Sequence, residues 1–569
     1  MLTECPVNSH LKPRTGGQIL VDALRLNAVE RVFCVPGESY LAVLDALHDA
    51  REQIDLVVCR QEGGAAYMAE AHAKLTGKPG VCMVTRGPGA TNASVGVHTA
   101  FQDSTPMLLF IGQVARDQQT REAFQEIDYR QMYAPLAKWV VQIDDPRRLP
   151  ELLAQAFQRA ISGRPGPVVV VLPEDMLCES ATVADALPSQ PIHAQPGGAQ
   201  LAQMHALLAE AERPLLILGG GGWDAQAVEA IGRFAENQRL AVALSFRRQD
   251  LFDNCHMQYA GDLGLAASAE LVQAVKNADL LVVVGSRLGE VSSSGYSLLD
   301  IPTPRQRLIH VHAGLEELGR VYQPTLAIVS GMAAFARQAA ELAAAPAERH
   351  CDWIGQLNQA YRNNLVCPTA PGAVQMGEII AWLGDHLPSD AIVCNGAGNY
   401  AIWLQRFYQY RSFRSQLAPT NGSMGYGVPA AIAAALAAPS RQVLSFAGDG
   451  CFMMNGQELA TAIQHDARVI FIVVNNGMYG TIRMHQERHY PGRVSGTALH
   501  NPDFAALARA YGLHAEVVQA TAEFAGAFVR AQQAGKAALI EIRIDPQALT
   551  PRQSLDQIRA QALLSQSNK

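Results

Sequence analysis

Charge is scarce in this chain. Of its 569 residues only 17% are Asp, Glu, Lys or Arg, and the net charge is −7. It has no basic run and no interleaving of aromatic with basic residues, so a nucleic-acid partner is not expected. Long apolar runs are missing as well. No stretch reaches membrane-spanning length, so no membrane partner is expected either. The opening sequence MLTECPVNSHLKPRTGG lacks the apolar core of a secretory leader, which points to a cytoplasmic protein. The ten cysteines are scattered, with no CxxC pair. That argues against a disulfide framework or structural zinc and fits a reducing compartment. No short-period repeat occurs.

Apolar residues, by contrast, make up 49% of the chain, and its length allows about three domains, each with a core. Short apolar runs alternate with longer amphipathic ones, the pattern of parallel sheets covered by helices. Three α/β blocks follow: 15–180, 199–345 and 370–548, with a tail over 549–569. The first has strands expected at Arg31–Val35, Asp55–Cys59, Val81–Thr85, Met107–Ile111 and Pro167–Leu172. The second has them at Pro214–Leu218, Ala241–Leu244, Leu280–Val284 and Leu308–Val311. The Pro-rich segment Ala181–Gly198 reads as a linker between these two. The tail carries a last short helix.

The third block holds the most informative stretch, RQVLSFAGDGCFMMNGQELATAIQHDARVIFIVVNNGMY, from Arg441 to Tyr479. It reads as a strand over Val443–Ala447, a Gly448-Asp449-Gly450 turn, an amphipathic helix, a strand over Val469–Val474 and the pair Asn475-Asn476. In such a βαβ unit both strands end on the same sheet edge, where α/β proteins bind ligands. Asp449 and Asn476 can then supply two oxygens to one hard cation such as Mg²⁺, which keeps open positions for phosphate oxygens. The glycines and the helix start favour an anion.

A GDG turn followed at this interval by NN resembles the thiamine-diphosphate (ThDP) fingerprint. The order of the three blocks resembles ThDP decarboxylases and carboligases of the acetolactate-synthase type over nearly the whole chain. The resemblance implies three doubly wound parallel-sheet domains: pyrimidine-binding, central and diphosphate-binding. It implies a homodimer or homotetramer with the active site at a subunit interface. It also implies Mg²⁺ on Asp449, the Asn476 side chain and the Met478 carbonyl, with Gly448, Gly450 and Cys451 at the diphosphate. Gly398, Asn399 and Tyr400, after a strand at Ala391–Cys394, would meet the diphosphate too. In NGSMGYG, the Gly422 carbonyl would accept from the cofactor's amino group, and Met424 would wedge beneath it.

In the first block, Glu62 matches the family's activating glutamate, the acid that promotes loss of the cofactor's C2 proton. Its other reading is a first-turn Glu that complements the helix dipole. The loop TRGPGATN, Thr85–Asn92, matches TSGPGATN in the family. Arg86 is therefore either a cation near a substrate carboxylate or a surface arginine beside a turn. Phe101-Gln102-Asp103, Gln113 and the Phe124-Gln125-Glu126 triplet resemble pocket-lining segments, and Phe124 and Gln125 are the candidates carried forward. Pro36-Gly37-Glu38-Ser39 stands where the family reads PGGA.

Two departures bear on function. Met484-His485 stands where acetolactate synthases carry Gln-Trp, so the acceptor pocket differs. His485 is an acid–base group or a polar wall. In the central block GSRLGEVSSSG and HVHAG keep Arg287 but lose the second arginine and both aspartates of the family's FAD loop. The glycine run Gly219–Gly222 alone is a weak phosphate signal, and the balance weighs against FAD. The expected activity is ThDP- and Mg²⁺-dependent decarboxylation of a 2-keto acid, such as pyruvate, with carboligation to a second carbonyl. The alternatives are a related decarboxylase or 2-hydroxyketone lyase, and a ThDP-binding sensor or partner subunit without turnover.

Overall fold

The short Val, Ile and Leu runs form strands covered on both faces, which is what parallel sheets flanked by helices require. The computed structural model describes residues 12–567. The expectation about a leader rests largely on residues 1–11, which lie outside these, as do Asn568 and Lys569 of the tail.

The first unit comprises the described residues up to Ile192, apart from Lys74–Gly77. Its main sheet has six parallel strands in the order Asp55–Val58, Arg31–Cys34, Gly80–Val84, Met107–Gln113, Pro167–Pro173, Trp139–Gln142, and Arg14–Thr15 pairs antiparallel with Ser180–Ala181 apart from it. The chain leaves Arg31–Cys34 toward one edge and returns at Gly80–Val84 on its other side. The crevice of this sheet therefore lies at the carboxyl ends of those two strands. One core face packs Val81, Leu108, Phe110, Val168 and Val170 against Leu20, Leu24 and Phe157 of the covering helices.

The second unit, from His193, carries two sheets. In the central one the order is Tyr259–Leu263, Ala241–Ser245, Pro214–Leu218, Leu280–Val284, Arg307–His312, Leu326–Val329, again all parallel. The last sheet runs Gln416–Leu417, Ile392–Asn395, Val443–Gly448, Val469–Asn475, Ala538–Arg543, His514–Val518. It repeats the strand order of the first unit's sheet. Its switch point falls between Ile392–Asn395 and Val443–Gly448.

Most strands without a sequence signal are edges or polar-interrupted. Trp139–Gln142 and His514–Val518 are mostly half-buried edge strands, so neither has an unbroken apolar run. Tyr259–Leu263 contains Gly261 and Asp262, and Ala538–Arg543 contains the buried Glu541. The single amphipathic helix expected after Asp449 is in fact three pieces: Asp449–Phe452, a 3₁₀ turn Gly456–Glu458, and Leu459–Gln464. The break falls at Asn455, whose side chain turns away to donate to the Gly425 carbonyl at 3.0 Å. The tail helix runs Leu555–Ser567.

Candidate active site

At the switch point of the last sheet the chain opens a cavity of about 250 Å³. Strand register decides which residues reach it. The turn after Ile392–Asn395 brings Gly398, Asn399 and Tyr400, and the turn ending Val443–Gly448 brings Gly448, Asp449, Gly450 and Cys451. The neighbouring strand Val469–Asn475 delivers Asn476 and Met478, and the segment before the helix Gly427–Ala437 contributes Gly422 and Met424. The third-block residues expected at the cofactor and metal thus share one cavity, which Met484 and His485 do not line. Gly450 leaves room for the Tyr479 ring, since a Cβ there would sit 2.5 Å from it. Gly422 holds φ +71°, which disfavours any side chain.

Asp449 is the charged centre of the site, only 3% exposed. Burial pushes its carboxyl above the usual range, and hydrogen bonds from Asn501 and from the Gly450, Gly477 and Met478 backbone pull it back. Oδ2 accepts from Gly477 N at 2.9 Å and from Asn501 Nδ2 at 2.7 Å. Asn501 also donates to Asn475 Oδ1 at 3.0 Å. Asn476 Oδ1 accepts from Met478 N at 3.2 Å, which folds the chain so that both residues line the cavity. Among the described residues no three His, Cys, Asp or Glu groups converge on one point. A cation site here is therefore one carboxylate with amide and carbonyl oxygens, a donor set suited to a hard ion.

Asn399 is fastened to the following helix, Gly480–His489. Its Oδ1 accepts from Thr481 Oγ1 at 2.9 Å, and its Nδ2 lies 3.7 Å from Met484 Sδ. The Tyr400 hydroxyl meets Cys451 Sγ at 3.4 Å. Met484 is buried against Leu549, Leu555 and Ile558 of the tail. His485 is exposed on the outer side of its helix, stacks on His489 and does not line the cavity. Its imidazole is shifted down by burial and by the nearby Arg488 and His489. Glu487 behind it is fully buried and paired with Arg483 and Arg559, and the Arg559 hydrogen bond chiefly holds it down to about 2.

In the first unit Glu62 opens the helix Glu62–Thr76, and its Oε2 accepts from Asn92 Nδ2 at 2.9 Å. Asn92 belongs to the TRGPGATN loop, so the sheet's topology unites two segments noted separately in the sequence. The same crevice joins Ser39 to Thr85, whose hydroxyls lie 2.9 Å apart. Arg86 is no surface residue. It is buried between Glu38 Oε1 at 3.1 Å and Glu174 Oε2 at 3.0 Å. Gln125, at φ +65°, packs against Gly87, where a Cβ would approach its own at 2.8 Å. Phe124 beside it is 74% exposed. Gln113 is buried, donating to the Ile127 carbonyl at 2.9 Å, and Glu126 accepts from Thr120 N and Ala123 N.

In the central sheet the Gly219–Gly222 turn is held by protein groups. Gly219 O accepts from Trp223 Nε1 at 2.8 Å and Gly220 O from Arg248. Arg287 is ion-paired with the buried Glu317 at 3.1 Å.

Asn501, Thr481 and Tyr479 were not found from the sequence. Asn501 lies in HNPDF, where Asp503 caps the helix Phe504–Ala510, so the motif signals a helix start and not a partner for Asp449.

Three family models match the chain. Residues 14–132 match "Thiamine pyrophosphate enzyme, N-terminal TPP binding domain", 201–339 the central domain and 396–542 the "C-terminal TPP binding domain". The chain is 35% identical to the acetolactate synthase large subunit of Parasynechococcus marenigrum, over 88% of this chain and 82% of that one. It is 31% identical to acetolactate synthase isozyme 2 large subunit of Escherichia coli, over 88% and 90%. A probable acetolactate synthase large subunit of Methanocaldococcus jannaschii is 30% identical, over 94% and 93%.

Proposed function

As the chain belongs to the thiamine pyrophosphate enzyme family, we propose that it decarboxylates a 2-keto acid, pyruvate first among candidates, and joins the remaining fragment to a second carbonyl. The observation that carries this reading is the single cavity shared by Gly398–Tyr400, Gly422, Met424, Gly448–Cys451, Asn476 and Met478. In it Mg²⁺ would be held by Asp449, Asn476 Oδ1 and the Met478 carbonyl, and the diphosphate by the glycine turns. Bound there, ThDP would supply an electron sink for the pair left behind as CO₂ departs. Met424 would give the cofactor an apolar support, and the Gly422 carbonyl would accept from its amino group. Glu62 holds a proton at the aminopyrimidine, oriented by Asn92 at 2.9 Å. Phe124 and Gln125 belong to the wall that selects substrate, and His485 to the acceptor side. The domains 15–180, 199–345 and 370–548 serve as pyrimidine-binding, central and diphosphate-binding parts. A homo-oligomer completes each site, in the reducing compartment expected of a cytoplasmic enzyme. FAD stays outside this reading, because the central block keeps Arg287 but lacks the second arginine and both aspartates of the family's FAD loop. Among the described residues no helix is long and apolar enough to cross a membrane.

The test is product identification from isotopically labelled pyruvate, with and without a second keto acid, in ThDP and Mg²⁺. An acetolactate-type product with CO₂ release is expected. Aldehyde alone would make the protein a decarboxylase, and no CO₂ from any 2-keto acid would overturn the proposal.

A further inference from the structure

The sequence SFRRQDLFDN, Ser245–Asn254, leaves the central strand Ala241–Ser245 and fastens the central domain to the last sheet's domain. Gln249 N donates to Gln416 Oε1 at 2.7 Å, and Gln416 Nε2 returns a bond to Gln249 Oε1 at 3.0 Å. Asn254 and Tyr410 exchange a second such pair, N to O at 2.9 Å and Oδ1 from N at 3.0 Å. Asp250 Oδ2 accepts from Arg414 N at 3.0 Å. These bonds run between groups outside the cavity lining and join one domain to the other.

Arg247, in the same segment, reaches elsewhere. Its residue is 6% exposed, and its two terminal nitrogens bridge the two chain segments that lead into the cavity's lining at Ala397 and Gly422. Nη1 donates to Pro419 O at 2.6 Å and Nη2 to Gly396 O at 2.8 Å. Gly396 opens the turn that carries Gly398 and Asn399. Pro419 leads into the segment that carries Gly422 and Met424. A planar guanidinium has a fixed fork, so holding both carbonyls fixes the distance between them. Lysine, with one ammonium on a flexible stem, cannot do the same. The backbone at Arg247 is left-handed, φ +60°, where an arginine is uncommon. That conformation lets Arg247 face the cavity walls while Arg248 turns back to Gly220 O of its own domain. An uncommon backbone state held at such a place is an observation from which a role can be inferred.

We propose that Arg247 is a positioning residue of the cofactor cavity: from the central domain it sets the spacing between the Gly396–Asn399 turn and the Gly422–Met424 segment. It touches neither substrate nor cofactor in this role. The inference rests on the ThDP reading above, because the spacing matters only if both walls grip one ligand. Misplacing a wall by about 1 Å can cost on the order of 100-fold in turnover.

The test compares Arg247→Lys and Arg247→Met with the wild type, measuring apoprotein melting, ThDP affinity at saturating Mg²⁺, and kcat and KM separately. Both variants should lose on the order of 100-fold in kcat at saturating cofactor. Substrate KM should change little, and the apoprotein should melt somewhat lower, because buried carbonyls lose a donor, yet stay folded through the Gln249, Asn254 and Asp250 bonds. If Arg247→Met does not fold, Arg247→Lys carries the test, since it keeps the charge and stem but not the fork. Turnover per folded molecule equal to wild type in Arg247→Lys would overturn the proposal, whatever happened to melting. A wild type that fails to bind ThDP would instead defeat the cofactor reading.

Discussion

Asn501→Ala isolates one support of the metal site without touching the expected ligands. Asn501 donates to Asp449 Oδ2 at 2.7 Å and to Asn475 Oδ1 at 3.0 Å, so its loss frees the carboxylate's orientation and that of the adjacent strand end. Removing the partner of a metal ligand typically costs about 10–100-fold in metal affinity, or about 1.4–2.8 kcal/mol at about 1.4 kcal/mol per tenfold. The effect should depend on pH. Burial already raises the Asp449 pKa, and Asn501 is one of the groups that lowers it, so the variant's carboxyl should be raised further. Metal binding needs the carboxylate, and the affinity deficit should therefore widen as pH falls from neutral toward that raised pKa. The sign for stability is the opposite. A raised folded pKa contributes stability below the unfolded Asp value, and that contribution is lost as pH rises through the folded value. The ionised, metal-free site is thus a cost that Mg²⁺ removes. Calorimetric titration of Mg²⁺ into enzyme saturated with ThDP, at neutral and mildly acidic pH, measures both effects. Equal affinities for variant and wild type at both pH values would refute the argument.

Glu62→Gln should keep cofactor affinity but slow exchange of the cofactor's C2 proton by about 10²–10⁴-fold, the usual worth of a positioned acid–base group. Wild-type exchange, followed by NMR in heavy water, would remove Glu62 from that role. His485 lies off the cavity of its own chain, so its place on the acceptor side depends on the proposed subunit interface; there, His485→Trp should change the ratio of products from pyruvate and a competing 2-keto acid by about 10–200-fold, the range for methylene-sized pocket contacts. Decarboxylation itself should change less. An unaltered ratio in a competition assay would take His485 off the acceptor side.

The sequence made the cavity legible because its residues sit at strand ends, where apolar runs stop and register does the rest. Asp449 and Asn476 follow adjacent parallel strands, so knowing where Val443–Gly448 and Val469–Asn475 end is nearly enough to bring them together. Glu62 was legible by its place after a strand, but its hydrogen bond with Asn92 joins residues from different βα turns, and no local pattern announces such a pair. Arg86 shows the limit of matching one loop to another. Whether it faced a substrate or solvent was open, and the fold buries it between Glu38 and Glu174, residues distant in sequence. Arg247 left no trace at all, since two adjacent arginines carry no periodicity and only domain docking gives one of them its partners. The edge strands escaped for the simplest reason: half-buried, they need no continuous apolar run.

Under the proposed function, Asp449, Asn476 and the Met478 carbonyl hold a divalent ion that binds the cofactor's diphosphate in the cavity at the sheet's switch point. Crystals grown with ThDP and Mn²⁺, in place of Mg²⁺, allow the ion to be located by its anomalous scattering. One peak is expected within ligand distance of Asp449, Asn476 Oδ1 and Met478 O, adjoining diphosphate density against Gly398 and Gly448–Cys451. Cofactor density elsewhere, or in that cavity with no ion on Asp449, would contradict it.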